Sequence, residues 1–247
     1  MRFALWAMVL AAAGVAPVAG ATRSAGRELT LDDIPIAEHS AGRPWSVVRS
    51  GDVFRFQVRQ GERRLKPSER DRPIERSEIA LRNRLQNGAT YKVSYDFMVA
   101  PGPPNAAAWV NIGQIHGTED ADDDMKRGPL LAVQLHGERL QISARADPNR
   151  KSVGRHDVWR YRDQADLVRG RWYRMDMALR MDPQGAGRLV VWRDGAKVVD
   201  YAGPFGFNDA VGPYWKLGIY RRTSPEPLTV SFRRFRLAEG RGFDRGL

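Results

Sequence analysis

From Ser46 onward, apolar and polar residues alternate with a period of two. Phe54, Phe56 and Val58 interleave with Arg55, Gln57 and Arg59, and Tyr91, Val93, Tyr95, Phe97 and Val99 interleave with Lys92, Ser94 and Asp96. Successive side chains of an extended chain point to opposite faces, so each run predicts a strand with one buried face. Tyr173, Met175, Met177, Leu179 and Met181 repeat the pattern. Leu130 to Leu135 and Leu140 to Ala144 flank His136-Gly137-Glu138-Arg139 and read as a hairpin. A stronger hairpin joins Leu189–Arg193 to Lys197–Tyr201 through Asp194-Gly195, because Asp-Gly suits the positive φ angles of a tight primed turn. Lys216 to Arg222 and Leu228 to Leu237 close the series. No long segment shows a helical period, and no repeat or domain linker stands out. The expectation is an all-β fold, an antiparallel β-sandwich of jelly-roll type, over residues 46–247. Residues 22–45 read as a poorly ordered lead-in, and Gln60–Glu75, Pro101–Ala107 and Glu119–Arg127 as solvated loops.

The first residues change the picture of where this fold works. Arg2 supplies a positive start, Phe3 to Ala16 form a short apolar stretch, and Ala19-Gly20-Ala21 offers small residues to a signal peptidase. Residues 1–21 are therefore expected to be a signal peptide. The apolar run falls short of the ~20 residues of a membrane-spanning helix, and Pro17 interrupts it. A secreted or periplasmic protein with no membrane partner after cleavage follows. The chain has no cysteine, which rules out disulfides, thiol chemistry and cysteine ligation of zinc. Its net charge of +11 favours a polyanionic partner. Export and the lack of any zinc-finger, basic-helix or RNA-binding signature argue against nucleic acid. An acidic polysaccharide suits both charge and address, and a monomer is expected.

Three segments concentrate chemistry: Arg76-Ser77-Glu78-Ile79, Gln114-Ile115-His116 and Tyr214 to Arg222. Period-two geometry puts Arg76 with Glu78 on one face, Gln114 with His116 on one face, and Lys216, Gly218, Tyr220 and Arg222 on one face. If these strands share a concave sheet, they line a substrate groove with Arg, Gln, His, Lys and Tyr. That set meets the demands of β-elimination at a uronic acid. The proton on carbon 5 lies alpha to a carboxylate and becomes acidic once that carboxylate is neutralised by groups such as Arg and Gln. A neutral His or an ionised Tyr removes the proton, and Tyr protonates the leaving glycosidic oxygen. Taken singly, Glu78 reads better as the ion-pair partner of Arg76, and His116 as a structural histidine.

The combination Arg-Ser-Glu-Ile, Gln-Ile-His and Tyr-Trp-Lys-Leu-Gly-Ile-Tyr resembles the three motifs of the jelly-roll polysaccharide lyases, notably alginate lyases and their glucuronan and heparin lyase relatives. Gly128-Pro129-Leu130 and the stretch from Trp172 to Asp194-Gly195 resemble the heparin lyase I-like branch. The resemblance implies Arg76 and Gln114 on the substrate carboxylate, His116 as base and Tyr220 as acid or acid/base. Lys216, with Arg222 and Glu78, would line the binding groove. The alginate lyase pattern continues past the Glu with Leu-Arg, where this chain has Ile79-Ala80, and ends in Gln, where it has Arg222. Both departures shift the expectation from alginate toward glucuronan-like or glycosaminoglycan-like substrates.

No cofactor is required by this chemistry and no metal ligand set is expected. Glu119, Asp120, Asp122, Asp123 and Asp124 raise calcium, which some lyases of this kind bind, but their spacing is not that of an EF-hand loop. A glycoside hydrolase needs two carboxylates facing each other across one bond, and no strand displays such a pair. A non-catalytic glycan-binding sandwich needs neither base nor acid.

Overall fold

The computed structural model describes residues 28–64, 66–121, 123, 128–151, 156–240 and 242–245. It contains β1 (Ile36–His39), β2 (Val47–Ser50), β3 (Val53–Val58), β4 (Ile74–Leu81), β5 (Thr90–Val99), β6 (Val110–His116), β7 (Pro129–His136) and β8 (Arg139–Asp147). β9 (His156–Arg162), β10 (Tyr173–Arg180), β11 (Arg188–Arg193), β12 (Ala196–Ala202), β13 (Gly206–Phe207), β14 (Tyr214–Arg222) and β15 (Leu228–Glu239) complete it. A 3-10 turn at Pro67–Glu69 is the one helical element among the described residues.

The strands form two sheets. One has the order β1-β4-β14-β6-β7-β8-β13, with β9 also paired to β8, and the other has the order β12-β11-β10-β5-β15-β3-β2. Pairing is antiparallel throughout except for β13 on β8. The expected antiparallel sandwich is thus observed. Its two inner faces meet in one apolar core to which the alternating residues of β5 and β10 contribute Tyr95, Phe97, Met175 and Met177. Each fully buried large apolar side chain contributes about 1.5–3 kcal/mol of transfer free energy. Trp215 of β14 meets Tyr95 of β5 edge-to-face at 6.3 Å, which anchors β14 to the opposite sheet. The Asp194-Gly195 hairpin forms as expected, with φ of 49° and 86° at its two turn residues.

Two expectations need correction. The described part of the 22–45 segment is not a poorly ordered lead-in. Ile34 is buried, Leu29 bridges to Leu237, and β1 pairs with β4 from Ile36↔Leu81 to His39↔Glu78. The stretch Gln60–Glu75 is not simply solvated either. Glu69 and Glu75 are buried, because each carboxylate is drawn inward by a guanidinium, Arg76 for the first and Arg221 for the second. Residues 1–27, which hold the expected signal peptide, lie outside the described residues. No helix among the described residues is long and apolar enough to cross a membrane.

Candidate active site

The site grows from a distortion in β14. Gly218 has φ of 125°, and the pairing of β14 with β6 shifts register between Leu217 and Tyr220. A side chain at Gly218 would put its Cβ 2.3 Å from the Ser77 carbonyl oxygen, so only glycine lets β14 and β4 approach this closely. Beyond the bulge, Tyr220 stands directly between Arg76 of β4 and Asn111 of β6. The Arg76 guanidinium lies over the Tyr220 ring at 4.2 Å, and Trp109 packs against the same ring at 5.0 Å. Arg72 donates to Tyr220 Oη at 3.2 Å. The ring is thus held on two sides, while its hydroxyl proton has no acceptor among the described residues.

Further along the same strands, past Gly218, lies a buried polar hub. Glu78 is 1% exposed and accepts from Lys216 Nζ and from Gln114 Nε2, each at 2.5 Å. Arg76 Nε lies 3.4 Å from Glu78, and its Nη1 donates to Glu69 at 2.6 Å. Burial alone would raise the Glu78 carboxyl, but Lys216, Arg76 and Gln114 outweigh it and hold it below the ordinary value. Burial pulls the Lys216 ammonium down against the opposing pull of Glu78. An isolated charge here would cost several kcal/mol of desolvation, so each partner makes the other tolerable. The Arg76–Glu78 pair expected from the sequence is present. Glu78 and Lys216, however, form the floor of the site, at 1% and 3% exposure, rather than the lining of a groove. Gln114 is also buried, at 2%, with one amide proton committed to Glu78. Arg222 is exposed at the end of β14.

His116 faces Tyr214, with ring centroids 5.6 Å apart. Its Nδ1 lies 2.7 Å from the Gly117 carbonyl oxygen, which assigns the proton to Nδ1 and leaves the Nε2 lone pair available. Burial, reinforced by Lys216, lowers its pKa and keeps the ring neutral. A second histidine, absent from the sequence-based set, joins the site from β1. His39 is the direct partner of Glu78, and its Nδ1 is shielded from solvent without a hydrogen-bond partner among the described residues. Burial, then the charges of Lys216 and Arg64, push it down to about 4, with Arg76 acting in the same sense and Glu78 opposing. Two neutral imidazoles therefore flank the hub.

This arrangement predicts an unusual acid limb. An ordinary imidazole near 6.5 is about three-quarters protonated by pH 6. A base with a lowered pKa stays neutral there, so kcat/KM is expected to hold as pH falls from 7.5 to 6. A kcat/KM profile that breaks at 6.5 or above would show that the base is not an imidazole with a lowered pKa.

The acidic loop offers no clear cage. Asp120 accepts from the Ala210 backbone N–H, Asp209 from that of Thr118 and Asp123 from that of Asp120, so these carboxylates tie this loop to the β13–β14 connection and to its own backbone. Asp122 and Asp124 lie outside the described residues. No group of three or more metal-ligating side chains occurs among the described residues.

Arg76, Gln114, His116 and Tyr220 thus gather on one outer face of a two-sheet sandwich. The family model described as polysaccharide lyase matches residues 24–234. The chain belongs to this polysaccharide lyase family. Among solved structures it is similar to the endo-β-1,4-glucuronan lyase of the fungus Trichoderma reesei, at 13% identity and a TM-score of 0.65, covering 88% of this chain and 92% of that one. An alginate lyase of Pseudomonas aeruginosa shares 19% identity with a TM-score of 0.54, over 81% and 88% of the two chains. A marine alginate lyase of Zobellia galactanivorans shares 14% identity with a TM-score of 0.55, over 81% and 82%. No curated protein sequence matches. This polysaccharide lyase thus has the jelly-roll sandwich expected from its three motifs, and the likeness to these structures carries the fold alone.

Proposed function

We propose that this lyase cleaves a uronate-containing acidic glycan by β-elimination, with a glucuronan-like or glycosaminoglycan-like chain preferred over alginate. The observation that carries the reading is the placement of Tyr220 against Arg76, on the same face as a Glu78–Lys216–Gln114 hub that neutral histidines flank. In this reading Arg76 takes the substrate carboxylate. Its Nη1 is committed to Glu69, while its Nη2 has no partner among the described residues. Neutralising that carboxylate favours loss of the carbon-5 proton and stabilises the enolate-like intermediate. A neutral imidazole takes the proton, and Tyr220 delivers one to the departing glycosidic oxygen. Arg222, together with the net charge of +11, supports a densely charged glycan. The amino-terminal pattern over residues 1–21 supports export to where such glycans occur.

The test is ultraviolet absorbance of the unsaturated uronide during incubation with glucuronan, alginate, heparin, heparan sulfate, hyaluronan and pectate. A rise on glucuronan or a glycosaminoglycan, exceeding that on alginate, is the expected result. New reducing ends without absorbance would point to hydrolysis and sink the elimination. Binding without either signal would leave a glycan-binding sandwich. His116→Asn and His39→Asn then separate the two imidazoles, since the one that serves as base is expected to carry the larger loss of kcat.

A further inference from the structure

The strand registers align six polar side chains into one row. Arg76 on β4 pairs with Tyr220 on β14, Tyr220 with Asn111 on β6, and Asn111 with Gln134 on β7. Gln134 in turn pairs with Gln141 on β8, and Gln141 with Arg162 on β9. Direct cross-strand partners stand on the same side of a sheet, so all six occupy the outer face that carries Tyr220. At about 4.8 Å per strand, Arg162 stands roughly 19 Å from Tyr220 along this row.

The middle of the row is not a set of independently solvated side chains. Gln141 Nε2 donates to Gln134 Oε1 at 3.1 Å, and Gln134 Nε2 donates to Asn111 Oδ1 at 2.8 Å. Ser143 Oγ adds a bond to Gln134 Oε1 at 3.4 Å. The carboxamides are therefore oriented by one another, and each keeps an N–H for something outside the sheet. The row contains no carboxylate to repel a polyanion. At its far end Arg162 is exposed, and its guanidinium makes no hydrogen bond or ion pair with a described residue. It borders an open cleft of about 440 Å³ shared with His136 and Arg139, and Arg139 is already paired with Asp166 at 2.9 Å.

We propose that this row is a substrate track crossing the strands, and that Arg162 is a distal subsite binding the carboxylate of a sugar remote from the scissile bond. The proposal rests on the reading of the protein as a uronate lyase and adds the direction and reach of the bound chain. Asn111, Gln134 and Gln141 offer amide hydrogen bonds to the hydroxyls of intervening sugars. Arg162 offers the fork that a carboxylate accepts in two parallel bonds.

The test compares wild type with Arg162→Gln and Arg162→Lys on a polymer that wild type cleaves and on oligosaccharides too short to span from Tyr220 to Arg162. Arg162→Gln is expected to raise KM on long chains about ten-fold at similar kcat, the scale of one lost charge-assisted bond. Arg162→Lys should recover part of the loss, and the preference for long over short chains should drop by the same factor. An unchanged KM on long chains, or an equal rise on the short ones, overturns the subsite. If no polymer in the panel is cleaved, calorimetric dissociation constants for the same polymers replace KM. Binding weakened about ten-fold by Arg162→Gln then supports the subsite although the lyase reading fails, whereas equal binding or none overturns it.

Discussion

Tyr220→Phe is expected to lower kcat on the cleaved polymer by about 10²- to 10⁴-fold, the range contributed by a positioned general acid or base. The substitution is well isolated. The ring remains between Arg76 and Trp109, whose contacts at 4.2 and 5.0 Å involve its face and edge rather than the hydroxyl. The one described bond lost is the 3.2 Å contact from Arg72, an exposed side chain. Packing and the polymer dissociation constant are accordingly expected to stay within about two-fold, since a long, solvent-exposed hydrogen bond competes with water and contributes little net. Initial rates of unsaturated uronide formation, with calorimetry on the same polymer, separate the two quantities. A variant that keeps more than half of the wild-type turnover would show that the phenolic proton takes no part in the chemistry. Equal loss of turnover and binding would instead make Tyr220 a substrate contact.

The strands were legible because period-two alternation reports a half-buried sheet directly, as in Tyr91 to Val99 and Tyr173 to Met181. The shared faces of Arg76 with Glu78 and of Gln114 with His116 followed from the same geometry. β1 was not legible, for a physical reason. It is an edge strand in which Ile36 stays 39% exposed and no buried apolar face marks the alternation, so His39 went unnoticed. Burial of Glu78 and Lys216 was hidden for another reason. Charged residues are rarely buried unless paired, and these two pair across strands that are distant in sequence. The row from Arg76 to Arg162 depends on register shifts between Asn111 and Gly113 and between Ala144 and Arg145, and no pattern of residue types announces a bulge. A useful signal was nevertheless present in β14. If Leu217 and Ile219 face inward, period two puts Arg221 inward too, which marks a buried guanidinium.

Arg221→Met is expected to destabilise the fold by about 3–5 kcal/mol, the cost of removing one partner from a buried ion pair. Arg221 is 0% exposed and ties four segments together. Its Nε donates to Glu75 of β4 at 2.6 Å, its Nη1 to the Glu226 carboxylate at 3.0 Å, and its Nη2 to the Glu226 carbonyl at 2.5 Å. Glu75 also receives the Gly61 N–H at 2.7 Å, and Glu226 receives that of Ala106 at 3.1 Å. Methionine fills much of the volume but leaves Glu75 buried with no countercharge. At about 2–4 °C per kcal/mol for a chain of this size, Tm should fall by roughly 10 °C. Adding Glu75→Gln to Arg221→Met is expected to recover part of that loss, because the stranded charge goes with it. Thermal unfolding of both variants is the measurement. A shift below about 2 °C for Arg221→Met would mean that water reaches Glu75 freely and that the buried network contributes little. A large shift without recovery in the double variant would place the cost in lost packing and backbone bonds to Ser224 and Glu226. Either outcome bears on the proposed chemistry as well, since Arg221 adjoins Tyr220 on the strand whose bulge positions that hydroxyl.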